Sequence, residues 1–187
     1  SSNIKISTPQ GVFVAKLIGK EELPFFKAQN EVLIHAQSKG LALSEPIPNK
    51  SKEYFSVLDE STSLWLLKFI KGTFYAETTS SRKLRRSLGK FIGKSINALA
   101  TMNNQTVIAH QHRWDLGNTQ HSQEFLEKVD KPYFRKYALH YFEEFKSRIL
   151  PIQHELPRQV IHGDLNDWNV LCEHGEVKAA IDIGDTC

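Results

Sequence analysis

The chain has 187 residues, is 40% hydrophobic and 24% charged, and carries a formal net charge of +3. That length allows a real core in one domain or two small lobes, and that balance excludes a disordered polyampholyte. No apolar run approaches the roughly 18 residues of a membrane span, no apolar h-region follows the Ser-Ser-Asn-Ile-Lys start, and the charge is too small to argue for nucleic acid. A cytoplasmic protein with no membrane and no nucleic-acid partner is the expectation.

Residues 3–7 and 12–18 read as two strands joined by the Pro9-Gln10-Gly11 turn, with Lys16 inside the second. Residues 25–38 follow as a helix whose apolar face uses Phe26, Ala28, Val32, Leu33 and Ala36 and which Gly40 ends. Pro46 and Pro48 lead into a second hairpin, residues 53–58 and 64–70 around Ser61-Thr62-Ser63, and Lys71-Gly72 makes a linker. From 81 to 100 the spacing of Leu84, Leu88, Phe91, Ile92, Ile96 and Leu99 marks an amphipathic helix. Arg82, Lys83, Arg85 and Arg86 at its start read as a solvated face rather than a phosphate site. His110-Gln111-His112 lacks a third ligand of suitable spacing and is not read as a metal site. Residues 123–129 read as a short helix. Asp130 and Pro132 then open a longer one, whose stripe of Phe134, Tyr137, Ala138, Tyr141, Phe142, Phe145 and Ile149 reads as core. Cys172 and Cys187 form neither a disulfide framework nor a metal motif.

The stretch 160–182 carries the chemistry. Two β-prone runs, 170–172 and 177–181, flank a Glu-His-Gly-Glu turn, and Asp164, Asn169 and Asp182 fall at strand ends, above buried Ile161, Val170, Leu171, Ala179 and Ile181. Phosphoryl transfer needs a group to accept the attacking hydroxyl's proton and hard oxygen ligands for magnesium on the nucleotide phosphates. Kinases place these as His-x-Asp, an Asn five residues after the Asp, and a second Asp on the next hairpin strand. His162-Gly163-Asp164, Asn169 and Asp182-Ile183-Gly184 reproduce that order. Lys16, in Val-Phe-Val-Ala-Lys-Leu-Ile, occupies the place of the kinase lysine that contacts the α and β phosphates.

His-Gly-Asp in place of His-Arg-Asp resembles the aminoglycoside phosphotransferase and choline kinase group. Within it, His-Gly-Asp-Leu-Asn-Asp-x-Asn with the later Ile-Asp-x-Gly-Asp is most similar to hydroxylysine kinase and to the related domains fused to class III aminotransferases. Arg113-Trp114-Asp115-Leu116-Gly117-Asn118 and Phe69-Ile70-Lys71-Gly72 also resemble segments of that family. The resemblance implies a protein-kinase-like, two-lobed α+β fold. Residues 1–71 would form a small antiparallel-sheet N-lobe that binds nucleotide, and residues 72–187 a partial, mainly helical C-lobe with the catalytic hairpin.

The implied activity moves the γ-phosphoryl group of ATP or GTP, with Mg2+, to the hydroxyl of a small molecule. Hydroxylysine or a similar amino alcohol is the first acceptor, and choline-like or aminoglycoside acceptors are alternatives. A rival of another class is a nucleotide-binding or scaffolding remnant without turnover. In the enzymatic reading Asp164 is the base, Asn169 and Asp182 bind the metal, and His162 orders the loop. Phe69 and Ile70 in the linker contact the nucleotide base. The helix after Lys16 should supply a Glu to that lysine: Glu31 is the acidic candidate, while the register set by Gln29-Asn30 brings Lys27 or Asn30 to the position. Gly163 removes the Arg by which protein kinases hold a phosphorylated activation loop, so that control is not expected. Gly11 is the sole glycine ahead of Lys16, and five residues follow Asp182. The chain therefore reads as a kinase core cut at both ends, whose uncovered apolar surface should make it self-associate.

Overall fold

A computed structural model describes residues 2–110, 115, 117, 119 and 123–187. Strands β1 (Ser2–Thr8) and β2 (Gly11–Gly19) pair antiparallel with Thr8 opposite Gly11, so Pro9-Gln10 alone reverse the chain. The Thr8 hydroxyl donates to the Gly11 carbonyl and accepts from the Gln10 amide, each at 3.1 Å, which closes the turn. β2 also pairs with β4 (Thr62–Lys68), and β4 with β3 (Phe55–Val57), giving an antiparallel sheet in the order β1-β2-β4-β3. β3 is shorter than the 53–58 expected because Asn49 Oδ1 takes the amides of Ser51 and Glu53 and holds that stretch in a loop.

Helix α1 (Leu23–Ser38) has Pro24 in its first turn, where no amide is needed. It ends in a Schellman motif, with Gly40 N–H donating to Gln37 and Leu41 N–H to Ala36. The helix packs on the sheet around Trp65, which meets Phe26 edge-on at 5.7 Å and stacks on Phe55 at 5.6 Å. The buried indole N–H donates to Asn30 Oδ1 at 3.1 Å, so this polar atom is satisfied inside the core.

The second sheet runs β5-β6-β7 from β5 (Thr73–Phe74), β6 (Val170–Glu173) and β7 (Glu176–Ala180). His174 and Gly175, at φ 52° and 73°, make the two-residue turn between β6 and β7. Helix α2 (Arg82–Leu99) is capped by Ser81 Oγ, which accepts from the Leu84 amide at 3.0 Å. Leu84 packs with Val170 and Cys172, and Phe91, Ala98 and Leu99 join the main core. Ile92 and Ile96, expected on the buried face, are 37% and 47% exposed, because burial follows the neighbouring stripe through Ser95 and Ala98. Ile161 is 43% exposed rather than buried beneath the hairpin. A short helix α3 (Gln105–Ile108) follows, capped by Asn104.

Residues 1–109 and 159–186 form one compact unit. Its core runs from Val32 and Trp65 through Leu41 and Leu43 to Ala180 and Ile183, and the Ala180 amide donates to the Ala42 carbonyl at 3.1 Å. Within this unit the segment after α1 ties the first sheet to β7, with Leu43 bridging Ala180 and Pro46 bridging Leu67.

Residues 110–158, with Cys187, form the other unit. It holds α4 (Gln123–Leu126) and α5 (Pro132–Glu144), then a π-helical turn Phe145–Ile149 and a 3-10 segment Leu150–Glu155. Arg135 reaches back to the carbonyls of Glu127 and Val129 and fixes the α4–α5 connection. Lys131, not Asp130, precedes the first helical residue, without a side-chain cap. The aromatic stripe of α5 is not core: Phe142 is buried, but Phe134, Tyr137 and Tyr141 are 56%, 45% and 67% exposed. Its periodicity is real, yet among the described residues of this small unit no second layer covers it. The His110-Gln111-His112 and Arg113 to Asn118 segments lie largely outside the described residues. Among the described residues no helix is long and apolar enough to cross a membrane.

Candidate active site

Lys16 lies at the centre of β2, opposite Trp65 of β4, and is only 7% exposed. Its ammonium donates to Asp182 Oδ1 at 2.9 Å. Asp182 stands two residues past β7 at φ 56°, a left-handed conformation that costs a non-glycine residue about 1–3 kcal/mol. A buried lysine thus holds a backbone-strained aspartate at the wall of a cavity of about 350 Å3, a volume suited to a small ligand. Lys16, Phe69, Ile70, Asn169 and Asp182 all line it, with Phe74 of β5 beside them. The Lys5 ammonium stands 4.5 Å over the Phe69 ring.

Asp164 does not itself line this cavity but is held by two amides, one of them from the lining residue Asn169. Asn169 Nδ2 donates to Asp164 Oδ2 at 2.8 Å and to its carbonyl at 3.0 Å, while Asn166 Nδ2 donates to Oδ1 at 2.7 Å. A carboxylate only accepts, so the Asn169 nitrogen must face it, and Oδ1 is the atom Asn169 keeps for another ligand. Asn166 is held in turn, its Oδ1 accepting from the Trp168 amide at 2.8 Å. The Asp-x-Asn spacing was the sequence signal for this residue, whose role only the loop geometry reveals.

His162 is 4% exposed, and its Nδ1 accepts from the Asp164 amide at 3.3 Å. Burial pushes its pKa below the ordinary histidine value, against the opposing pull of Asp164, the Ile181 main chain and Asp182. Among the described residues Nε2 has no hydrogen-bond partner, and burial outweighs the groups that favour the proton. A neutral ring that props the loop is what this environment supports.

Gly163 sits at φ 81°, and a Cβ built on it would collide with the Asp185 carbonyl oxygen. The loop and the segment after Asp182 are in direct backbone contact there, with the wholly buried Thr186 donating to the Ile161 carbonyl at 2.6 Å. No side chain fits between them.

Glu31 does not meet Lys16. It is exposed and accepts from Asn104 Nδ2 at 2.6 Å, and Lys27 is exposed as well. The inward position belongs to Gln29, 2% exposed, whose Nε2 donates to the Gly184 carbonyl at 3.1 Å. Two residues along a helix is a turn of about 200°, so once Gln29 faces in, Glu31 must face out. A polar residue on the Phe26, Leu33, Ala36 stripe was the available signal.

Among the described residues no group of three or more His, Cys, Asp or Glu gathers. Asp182 and Asn169 nevertheless fit a magnesium ion of the kind bound through one or two protein oxygens plus substrate phosphates and water.

Such a fold, with a lysine and an aspartate paired at the wall of one cavity, defines a kinase-like class. The chain belongs to the phosphotransferase enzyme family, whose model matches residues 1–187. It is similar to hydroxylysine kinase of Xenopus laevis, 23% identical over 176 residues that cover 86% of this chain and 47% of that protein. The chain thus spans about half the length of the curated relative it matches. Amicoumacin kinase in complex with AMP-PNP, Ca2+ and Ami superimposes with a TM-score of 0.70 at 13% identity, over 97% of this chain and 55% of that one. Spectinomycin phosphotransferase bound to AMP gives 0.63 at 12% identity, over 98% and 62%. At these identities the likeness establishes the fold, a kinase-like α+β fold of the aminoglycoside phosphotransferase type.

Proposed function

We propose that the chain carries the nucleotide site and catalytic loop of a small-molecule kinase that transfers the γ-phosphoryl group of ATP or GTP to a hydroxyl, with hydroxylysine or a similar amino alcohol as acceptor. The observation that carries this reading is that Lys16, Asn169 and Asp182 line one cavity while Asn169 also orients Asp164. Lys16 contacts the nucleotide phosphates, and Phe69 and Ile70 flank the base. Magnesium, when bound between Asn169 and Asp182, neutralises charge on the phosphates. Asp164 orients the acceptor hydroxyl and takes its proton: the two amide donors leave lone pairs on both carboxylate oxygens to accept it. Gln29 and Gly163 position the segment that presents Asp182. The amino-alcohol acceptor rests on the similarity to hydroxylysine kinase.

The test is a thermal-shift screen of ATP and GTP with and without magnesium, followed by radiolabelled transfer over amino alcohols and hydroxy amino acids. A magnesium-dependent shift and label transfer to the hydroxyl of an amino alcohol or hydroxy amino acid are the expected results. Nucleotide binding with no transfer to any acceptor would favour a remnant without turnover.

A further inference from the structure

A second concavity, of about 620 Å3, lies between α2 and the start of β7, away from the nucleotide cavity. Arg82, Lys83, Arg86, Lys90 and Lys94 line it, all exposed. Four of them recur every fourth residue, so their side chains form one row with a spacing of about 6 Å over about 18 Å of helix. The groove's single carboxylate, Glu176, is already paired with Lys83 at 3.3 Å. Arg82, Arg86, Lys90 and Lys94 have no hydrogen-bond or ion-pair partner among the described residues. The edge of β7 is closed there, since the Val177 amide donates to Ser87 Oγ at 2.9 Å, so the cations and not a free strand edge are what the groove offers.

Four aligned, unpaired cations in a concave channel are far more than an ordinary solvated face needs, and their charge selects an anionic chain. We propose that this groove binds an acidic peptide segment of a partner protein. An extended peptide places alternate side chains about 6.6–6.8 Å apart, close to the spacing of the row, so Glu or Asp at every second position meets one cation each. Single-stranded RNA fits less well because the groove's one ring, Phe91, is 7% exposed and offers no stacking surface. A bilayer surface is flat and cannot enter a groove, and the exposed Ile92 and Ile96 do not line it. This inference is independent of the phosphotransfer reading.

The experiment is fluorescence anisotropy of the chain with a labelled peptide of about eight residues alternating Glu and Ser, beside uridine-only RNA of equal charge and phosphatidylserine vesicles. Arg86→Glu with Lys90→Glu should weaken peptide binding about tenfold or more, in a salt-dependent way. Arg85→Glu, the same charge change on a residue that does not line the groove and bonds Ser80, should change it less than about twofold. Melting curves of both variants should match the wild type, since all three residues are on the surface. Equal peptide affinity in the groove variant and the wild type, no peptide binding at physiological salt, or tighter groove-dependent binding of the RNA or the vesicles would each overturn the proposal.

Discussion

Lys16 in the middle of β2 and Asp182 just past β7 meet at 2.9 Å, which joins the two sheets through the residues proposed to contact phosphate and metal. Asp182→Ala removes a ligand, a charge and the partner of a buried ammonium at once, whereas Asn169→Ala removes one neutral donor set. Charge-assisted bonds contribute about 1.5–3 kcal/mol, so Asp182→Ala should weaken magnesium-nucleotide binding about 10–100-fold and Asn169→Ala less. Calorimetric titration at several magnesium concentrations measures both. Unchanged magnesium dependence in the two variants would contradict the assignment.

The α1 register gives a paired prediction. Gln29→Leu removes the donor to the half-buried Gly184 carbonyl and should cost about 1–2 kcal/mol, with weaker nucleotide binding because the Asp182 segment loses its support. Glu31→Ala loses an exposed bond to Asn104 and should cost under about 1 kcal/mol, with nucleotide affinity unchanged. Urea unfolding with parallel nucleotide titration tests the pair; a larger binding loss for Glu31→Ala would restore it as the partner of Lys16.

Gly163 and Gly175 share a positive φ, 81° and 73°, but only Gly163 has backbone against the site of a Cβ. Gly175→Ala should cost about 1 kcal/mol, the conformational strain alone. Gly163→Ala adds a collision with Asp185 and should cost at least about 2 kcal/mol more. Equal losses in chemical denaturation would mean that the loop and the segment after Asp182 are not in contact.

Burial lowers the pKa of His162, so the folded chain resists the proton that the unfolded chain binds near 6.5. The stabilising contribution is present above that value and is lost as pH falls through and below it. The melting temperature should therefore drop between about pH 7.5 and 5.5, above the range where ordinary carboxylates titrate, and His162→Asn should flatten that slope. Parallel slopes in the two proteins would show that another group is responsible.

Much of the fold was legible because its signals are local. The Pro9-Gln10 turn, the Gly40 stop, the Ser81-to-Leu99 helix and the two β-prone runs around His174-Gly175 each declare themselves within a few residues. The loop residues Asp164 and Asn169 were equally readable, being five apart in one motif. What escaped depends on distant contacts. Gln29 acquires its role from a carbonyl 155 residues later, and Gly163 from the backbone of Asp185. β5 is two residues long and carries no periodicity of its own. The α5 stripe shows the opposite failure, since periodicity reports an apolar face but not whether anything covers it.

The most direct test of the central claim is single-turnover transfer of labelled γ-phosphate, with ATP or GTP and magnesium, by the wild-type chain and by Asp164→Asn. Base assistance contributes about 10²–10⁴ in rate, so the variant should lose at least about a hundredfold while binding nucleotide within about twofold of wild type. A loss of less than about tenfold would contradict the assignment of Asp164 as the base.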